Sequence, residues 1–321
     1  MSKIILTTTI NATPEQCYNS YLDPQDNKRW NTAGFGWTVG FTKIDAKVGG
    51  SFAVEYKYAV GKYDFILGGV YTKLVQNRLI RYDMPQNMAE FKVNARKVEV
   101  GFEDNNVVSE KAPRQSATAT PQEGNLNENL QMGNSTKVTI TFDAEEMNSI
   151  ERQEQGWQAI LNNFKTFVER KSNPNNAALN KSVVINSSAE KVWNAIVDNE
   201  NYKLWTAQFC AGSYYEGEMT YDSKIRFLSP NKSGLSSVVR VCIPNFQISF
   251  EHLGFIKDGV EDLDNPEFSG WKGARETYTL REENGKTTLE IYQEMTINEP
   301  EFFDKSWDKA LAIIKQIAEQ N

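Results

Sequence analysis

The chain of 321 residues contains a single histidine, His252, which is the clearest candidate for chemistry. It is in phase with Phe246, Ile248 and Phe250, so alternation along a strand places its side chain on the apolar side. An imidazole there could act as a general base or bind a ligand by a hydrogen bond, although a histidine satisfied within the core is the commoner case. No residues occur at a spacing that would form a nucleophile–base–acid set with His252. This histidine is therefore a weak catalytic candidate, and an enzymatic function is not favoured.

Aromatic side chains form the second candidate group, because rings can line a cavity for an apolar or aromatic ligand. In most domains such rings are packed core, and sequence cannot show whether a void is left. Arg226 and Arg240 lie within strands. An inward guanidinium would favour an acidic ligand group, whereas a solvent-facing one is the simpler interpretation. The predicted pocket residues are Trp30, Phe52, Tyr56, Trp157, Trp205, Arg226, Phe227, Phe250, His252, Trp271 and Trp307.

Metal and cofactor patterns are not found in the sequence. Cys17, Cys210 and Cys242 are isolated and outside any CxxC spacing, and one histidine cannot complete a Cys/His zinc site. We expect these cysteines to be small buried apolar side chains. The acidic residues of 254–273 lack the order of an EF-hand loop and are interpreted as solvated. No cofactor and no metal are predicted.

Composition limits the classes of partner. The net charge is −7 and no basic run occurs, which argues against nucleic acid and anionic membranes as partners. No apolar stretch is long enough to span a bilayer, and the N-terminal one is too short for a signal peptide. We therefore expect a cytoplasmic protein.

The elements that must position these residues are repeated. Ile10–Trp30 and Ile185–Trp205 align without a gap at a constant offset of 175 residues. This period is far too long for a solenoid, so the repeating unit is a whole domain. Each copy reads as a strand followed by a short capped helix, with Thr13 and Gln16 forming a predicted capping box in the first.

A run of strands without helix-length crossovers follows in each half, which favours antiparallel sheets. The polar segment 103–136 interrupts a hairpin of the first half, whereas the second half has only the turn Asn284–Gly285. We interpret this segment as an insertion at a hairpin tip. The polar stretch 172–180 is the predicted linker between domains at 1–171 and 181–321.

Each half ends in an amphipathic helix with one apolar face. The first face is formed by Trp157, Ile160, Leu161, Phe164, Phe167 and Val168, and the second by Trp307, Ala310, Leu311, Ile314, Ile317 and Ala318. Burial of the large side chains should stabilise each domain by roughly 2–3 kcal/mol per residue.

This plan resembles the START-like (SRPBCC, helix-grip) superfamily and, within it, the activator-of-Hsp90-ATPase-homologue (AHSA1-like) family. The residues that carry the resemblance are 10–15, 185–190, Trp30, Trp205, 47–52, 69–71, Gly156–Trp157 with Leu161 and Phe164, and 307–311. The resemblance implies a curved antiparallel sheet gripping a long helix, with a cavity that holds apolar or aromatic ligands in relatives. The eukaryotic co-chaperone joins one such module to a different N-terminal domain, whereas both halves here carry the pattern.

The sequence thus predicts an α+β protein of two tandem helix-grip domains. The favoured function is non-enzymatic binding of a small apolar or aromatic ligand. One alternative is a co-chaperone-like adaptor that binds a protein partner through its surface and the polar insertion. The other is a cyclase- or hydrolase-like enzyme centred on His252.

Overall fold

The computed structural model describes residues 2–32, 34, 36–58, 64–84, 95–105, 134–268, 270–298 and 300–320. Most of the predicted insertion 103–136 lies outside these residues. Its two ends belong to strands that pair with each other, as a hairpin insertion requires.

The first domain consists of a sheet, two short helices and a long C-terminal helix. Its elements are β1 (Lys3–Ile10), α1 (Pro14–Leu22), α2 (Pro24–Trp30), β2 (Trp37–Ile44), β3 (Ser51–Tyr58), β4 (Asp64–Val75), β5 (Leu79–Met84), β6 (Arg96–Asp104), β7 (Thr136–Asp143) and α3 (Ile150–Ser172). Among the described residues the sheet order is β1-β7-β6-β5-β4-β3-β2. β1 is an edge strand of this sheet.

The second domain repeats this plan. Its elements are β8 (Asn176–Ile185), α4 (Ala189–Val197), α5 (Asn199–Thr206), β9 (Tyr214–Gly217), β10 (Lys224–Leu228), β11 (Gly234–Ile243), β12 (Gln247–Lys257), β13 (Val260–Asp262), β14 (Arg275–Glu283), β15 (Lys286–Thr296) and α6 (Pro300–Gln320). The order is β8-β15-β14-β12-β11-β10-β9, with β13 paired to β12. Both domains therefore have the helix-grip architecture, and the predicted fold class is confirmed.

Local sequence signals fix where the short helices begin. Thr13 Oγ1 accepts a hydrogen bond from the Gln16 amide, and the Gln16 side chain accepts one from the Thr13 amide, so the predicted capping box is confirmed. In the second copy, Ser188 caps α4 by accepting from the Lys191 amide. These bonds satisfy amides that have no partner inside the helix.

The two long helices bury the face that the sequence marked as apolar. Leu161, Phe164 and Val168 of α3 are buried in the first core, and Trp157 is half-buried against it. Trp307 of α6 is 1% exposed and belongs to the corresponding core of the second domain. The cores lie between each sheet and its last helix, which is where the family resemblance predicts a ligand cavity.

Two stretches differ from the sequence-based expectation. β12 continues to Lys257, so residues 254–257 are strand and not loop. They pair with β11 on one side and with β13 on the other, and such pairing depends on residues distant in sequence. Residues 176–180 of the predicted linker likewise pair with β15. By contrast, Asn284 and Gly285 form the predicted hairpin turn, and both have positive φ.

Proximity of Cα atoms divides the chain into two compact units. One contains Met1–Asn31, Thr42–Ala53 and Leu67–Glu169, and the other contains Thr32–Phe41, Val54–Ile66 and Arg170–Asn321. The predicted domain boundaries at residues 171 and 181 stay a prediction. None of the described helices is long and apolar enough to cross a membrane.

Candidate functional site

The second domain contains a cavity of about 390 Å³, lined by residues of α5, the following turn, α6 and five strands. Aromatic rings dominate the lining: Tyr202, Trp205, Phe209, Phe227, Phe255, Tyr278, Phe303 and Trp307. The rings support each other, since Trp205 stacks on Trp307 with centroids 5.7 Å apart and Tyr202 lies 5.0 Å from Trp205. A cavity of this size and lining suits a small aromatic molecule.

A polar cluster made by His252, Glu276, Tyr278 and Gln293 lies among these rings, and all four residues line the cavity. Adjacent strands supply them: Glu276 is paired with Phe250 of β12 on one side and with Gln293 of β15 on the other. The inward face of the sheet therefore brings the side chains together.

Glu276, Tyr278 and Gln293 are held by hydrogen bonds to one another and to Trp307. The Tyr278 hydroxyl donates to Glu276 Oε1. Gln293 Nε2 donates to Glu276 Oε2 at 3.3 Å, and Gln293 Oε1 accepts from Trp307 Nε1 at 2.6 Å. The carboxyl group of Glu276 is thus fixed by two donors and aimed at the cavity.

His252 has one satisfied and one unsatisfied nitrogen. Its Nδ1 lies 2.8 Å from Ser237 Oγ, within hydrogen-bond distance. Its Nε2 is buried, has no hydrogen-bond partner among the described residues, and lies 3.8 Å from Glu276 Oε2. A buried polar atom without a partner is costly, and in native proteins it is explained by a strained or catalytic role or by a bound water or ion.

Burial controls the charges of this pair. It raises the pKa of Glu276 to about 7, partly opposed by the hydrogen bond from Tyr278. It lowers the pKa of His252 to about 4, so the imidazole is neutral at physiological pH. The carboxyl can therefore exchange a proton near neutral pH, whereas the imidazole serves as a neutral hydrogen-bonding group.

Four of the predicted pocket residues line this cavity: Trp205, Phe227, His252 and Trp307. Phe250 instead fills the core beside it, 5.0 Å from Phe227 and 6.2 Å from Tyr278. Trp271 packs against His252 and Phe303 at the edge of the site.

The two arginines face away from the cavity lining. Arg226 donates to Glu216 and to the Gly259 carbonyl, and Arg240 pairs with Glu251 at 2.9 Å. Arg226, a predicted pocket residue, does not line this cavity, because its neighbours Ile225 and Phe227 take the inward positions of β10 and leave Arg226 on the outer face.

In the first domain the predicted pocket residues pack against other aromatic side chains. Trp30 is 2% exposed and lies 4.7 Å from Phe164, and Phe52 lies 5.0 Å from Tyr82. Trp157 stacks on Phe142 with centroids 4.6 Å apart, while Tyr56 stacks on Phe65 at 5.1 Å. Each of these four side chains therefore packs against a neighbouring aromatic ring.

Strand pairing explains this difference between the two interiors. With Tyr82 aligned on Phe250, the pairing of β5, β6 and β7 matches that of β12, β14 and β15. The apolar side chains of the first domain at these positions are replaced by polar ones in the second. Met84 corresponds to His252, Val98 to Glu276, and Phe142 to Gln293, while Trp157 corresponds to Trp307.

Sequence reasoning missed Glu276, Tyr278, Gln293 and Tyr202. A signal existed for Glu276, since it is in phase with Tyr278 and Leu280 and so is a carboxylate on the buried side of its strand. Cys210 also differs from expectation: it is exposed and lines the cavity in the turn after α5, whereas Cys17 is buried.

Comparison with known proteins gives the family. The family model described as activator of Hsp90 ATPase homolog 1-like protein matches residues 11–169. A search of curated proteins found no match.

Solved structures that match this chain include proteins that align with about half of it and a di-domain protein. An AHSA1-like protein from Aeromonas hydrophila is 26% identical, with 53% of this chain and 94% of that one covered and a TM-score of 0.39. A protein from Cytophaga hutchinsonii is 30% identical, and the match covers 53% of this chain and 93% of that protein with a TM-score of 0.37. The di-domain ARO/CYC StfQ from the steffimycin biosynthetic pathway is 11% identical, and the match covers 99% of this chain and 98% of that protein with a TM-score of 0.49.

The matched segment holds the capped helix α1, the glycine turn before β3 and the long helix α3, which are the elements that suggested the resemblance. Through residues 11–169, the chain belongs to the activator of Hsp90 ATPase homolog 1-like family.

Proposed function

We propose that the second domain is a non-enzymatic receptor for a small apolar or aromatic molecule. The observation that carries the proposal is the cavity of about 390 Å³, whose ring-rich lining surrounds a buried, hydrogen-bonded polar cluster. Burying an aromatic ligand against such rings is favourable by roughly 25 cal/mol per Å² of apolar surface removed from water. The polar cluster orients the ligand through its hydrogen-bonding groups.

The asymmetry between the domains supports binding by the second one. The polar atoms of His252, Glu276 and Gln293 are costly to bury and contribute little to packing. The first domain has the same fold with Met84, Val98 and Phe142 at these positions, so the fold does not need polar groups there. A ligand that pairs with His252 Nε2 and contacts the rest of the cluster is the simplest reason for these polar residues.

Binding of a neutral fluorescent dye, N-phenylnaphthylamine, tests the proposal. We expect the wild-type protein to bind the dye and Leu235→Trp, which fills the cavity beside Phe227, to lose binding. Val184→Trp is the matched control, because Val184 is 51% exposed and not part of the cavity lining. Equal dye binding by both variants, or none by the wild type, would overturn the receptor function.

A second candidate, acid–base catalysis of the cyclase or hydrolase type, is favoured by one observation. Glu276, with a pKa of about 7, lies 3.8 Å from the neutral imidazole of His252 within the cavity. A carboxyl that titrates near neutral pH is suited to proton transfer. A bound ligand recovered chemically unchanged after prolonged incubation supports the receptor, whereas turnover that is lost in His252→Ala supports the enzyme.

The adaptor alternative depends on the polar insertion 103–136, which lies largely outside the described residues. Deletion of residues 106–133 with retention of the paired strands β6 and β7 tests it, since a partner recruited by the insertion should be lost while the fold persists.

A further inference from the structure

We propose that the ligand of the second-domain cavity carries a protonated amine, which is bound by the carboxylate of Glu276 and enclosed by aromatic rings. The inference rests on the proposed receptor function and adds the charge of the ligand to it. Its chemical class is therefore an aryl or alkyl ammonium compound rather than a carboxylic acid or a neutral apolar molecule.

The first argument is charge. Glu276 is the one residue with a carboxylate among the described residues that line the cavity, and no lysine or arginine is among them. The guanidinium that acts on His252, that of Arg170, is engaged by Glu294 at 2.9 Å. A buried carboxyl without a cation resists ionisation, and a bound ammonium group would remove that cost by supplying the opposite charge.

The second argument is the arrangement of acceptors. When Nδ1 of His252 donates to Ser237, Nε2 presents a lone pair 3.8 Å from Glu276 Oε2. In this tautomer, Nε2 and Glu276 Oε2 are two acceptors that lie side by side in the cavity. A primary ammonium group has three N–H donors and can donate to both atoms, which gives the buried Nε2 a partner.

The third argument is the surrounding rings. Tyr202, Tyr278 and Trp307 line the cavity around the carboxylate, with Tyr278 and Trp307 centroids 5.7 Å apart. The electron-rich faces of Trp and Tyr attract cations within about 6 Å of the ring, and cages of such rings recognise ammonium ligands. The faces of these rings do not attract a carboxylate.

Three indole compounds that differ in one group test the proposal: tryptamine, tryptophol and indolepropionate, which carry an ammonium, a hydroxyl and a carboxylate respectively. Their dissociation constants are measured by isothermal titration calorimetry with the full chain. We expect tryptamine to bind at least about tenfold more tightly than tryptophol, as a charge-assisted hydrogen bond predicts. Indolepropionate should bind most weakly.

The variant Glu276→Gln keeps the shape and removes the negative charge. It should weaken tryptamine binding by about tenfold or more and so reduce or abolish the preference for tryptamine over tryptophol. Glu290→Gln is the matched control, because it removes a carboxylate from β15 outside the cavity lining. Binding of tryptophol to Glu276→Gln also shows that this variant is folded.

The outcomes separate the two proposals. Binding of tryptophol or indolepropionate at least as tight as that of tryptamine overturns the ammonium assignment and leaves the receptor function standing. An unchanged preference for tryptamine in Glu276→Gln overturns the assignment as well. If none of the three compounds binds and N-phenylnaphthylamine also fails to bind, both the receptor function and the ammonium assignment are overturned.

Discussion

Gln293 Oε1 accepts a hydrogen bond from Trp307 Nε1 at 2.6 Å, and this bond connects the last strand of the second sheet to its long helix. In the first domain the corresponding side chains, Phe142 and Trp157, form an aromatic stack instead. The same fold therefore holds its helix by a polar contact in one copy and an apolar contact in the other. The polar version also fixes Glu276, because Gln293 donates to that carboxyl group.

Replacement of Gln293 by Leu should destabilise the second domain by about 1–3 kcal/mol, because Trp307 Nε1 is left buried without an acceptor. Urea denaturation followed by far-ultraviolet circular dichroism measures the loss. The double variant Gln293→Leu with Trp307→Phe supplies the control. Its destabilisation should be smaller than the sum of the two single losses by about 0.5–3 kcal/mol. Additive losses would show that the hydrogen bond does not couple strand and helix.

Glu276→Gln should become progressively more stable than wild type as the pH rises. The pKa of Glu276 is about 7 in the folded protein, against an ordinary value of 4.5. Between these values the folded state binds more protons than the unfolded state, so the contribution of Glu276 to stability falls as the pH rises. The difference in the free energy of unfolding between Glu276→Gln and wild type should be near zero below pH 4.5 and reach on the order of 3 kcal/mol above pH 7.

Thermal or urea unfolding of both proteins at several pH values checks this expectation, with Glu290→Gln as the control. His252 acts in the opposite direction in wild type, since its pKa of about 4 means that stability is lost as the pH falls from 6.5 towards 4. Because this histidine is retained in Glu276→Gln, the comparison isolates the carboxyl. A difference that stays constant from pH 4 to pH 8 contradicts the assignment of a buried, uncompensated acid.

Phe142→Ala should destabilise the first domain by about 3–5 kcal/mol, as expected for removal of a ring from a packed core. Phe142 is 1% exposed and stacks on Trp157. Ile5→Ala is the control, because Ile5 is 64% exposed on the edge strand β1 and should change stability by less than about 0.5 kcal/mol. A loss at Phe142 as small as that at Ile5 would indicate that the first interior is not tightly packed.

Thr13→Ala should cost about 1 kcal/mol, since it removes the acceptor for the Gln16 amide at the start of α1. Gln16→Ala removes the other half of the capping box and should cost less than Thr13→Ala. Equilibrium denaturation of the two variants measures both losses. Two wild-type-like stabilities would mean that α1 is positioned by packing alone.

The sequence by itself determined the duplicated fold. Helix caps such as Thr13, alternation in strands such as Leu79–Met84 and apolar faces such as that of α6 are local patterns, and each predicts its element without reference to distant residues. The offset between the two copies then assigned both halves to one architecture. The position of His252 on an apolar strand face was also readable from alternation.

The tertiary structure decided which side chains face the cavity of the second domain. The distance of 3.8 Å between His252 and Glu276 depends on the pairing of β12 with β14, and the role of Gln293 depends on β15 and α6 together. Such pairings join residues far apart in the chain, and no local pattern encodes them. Whether rings close on each other, as around Trp157, or leave a cavity, as around Trp205, depends on the combined volumes of many side chains and is therefore decided only when all of them are packed.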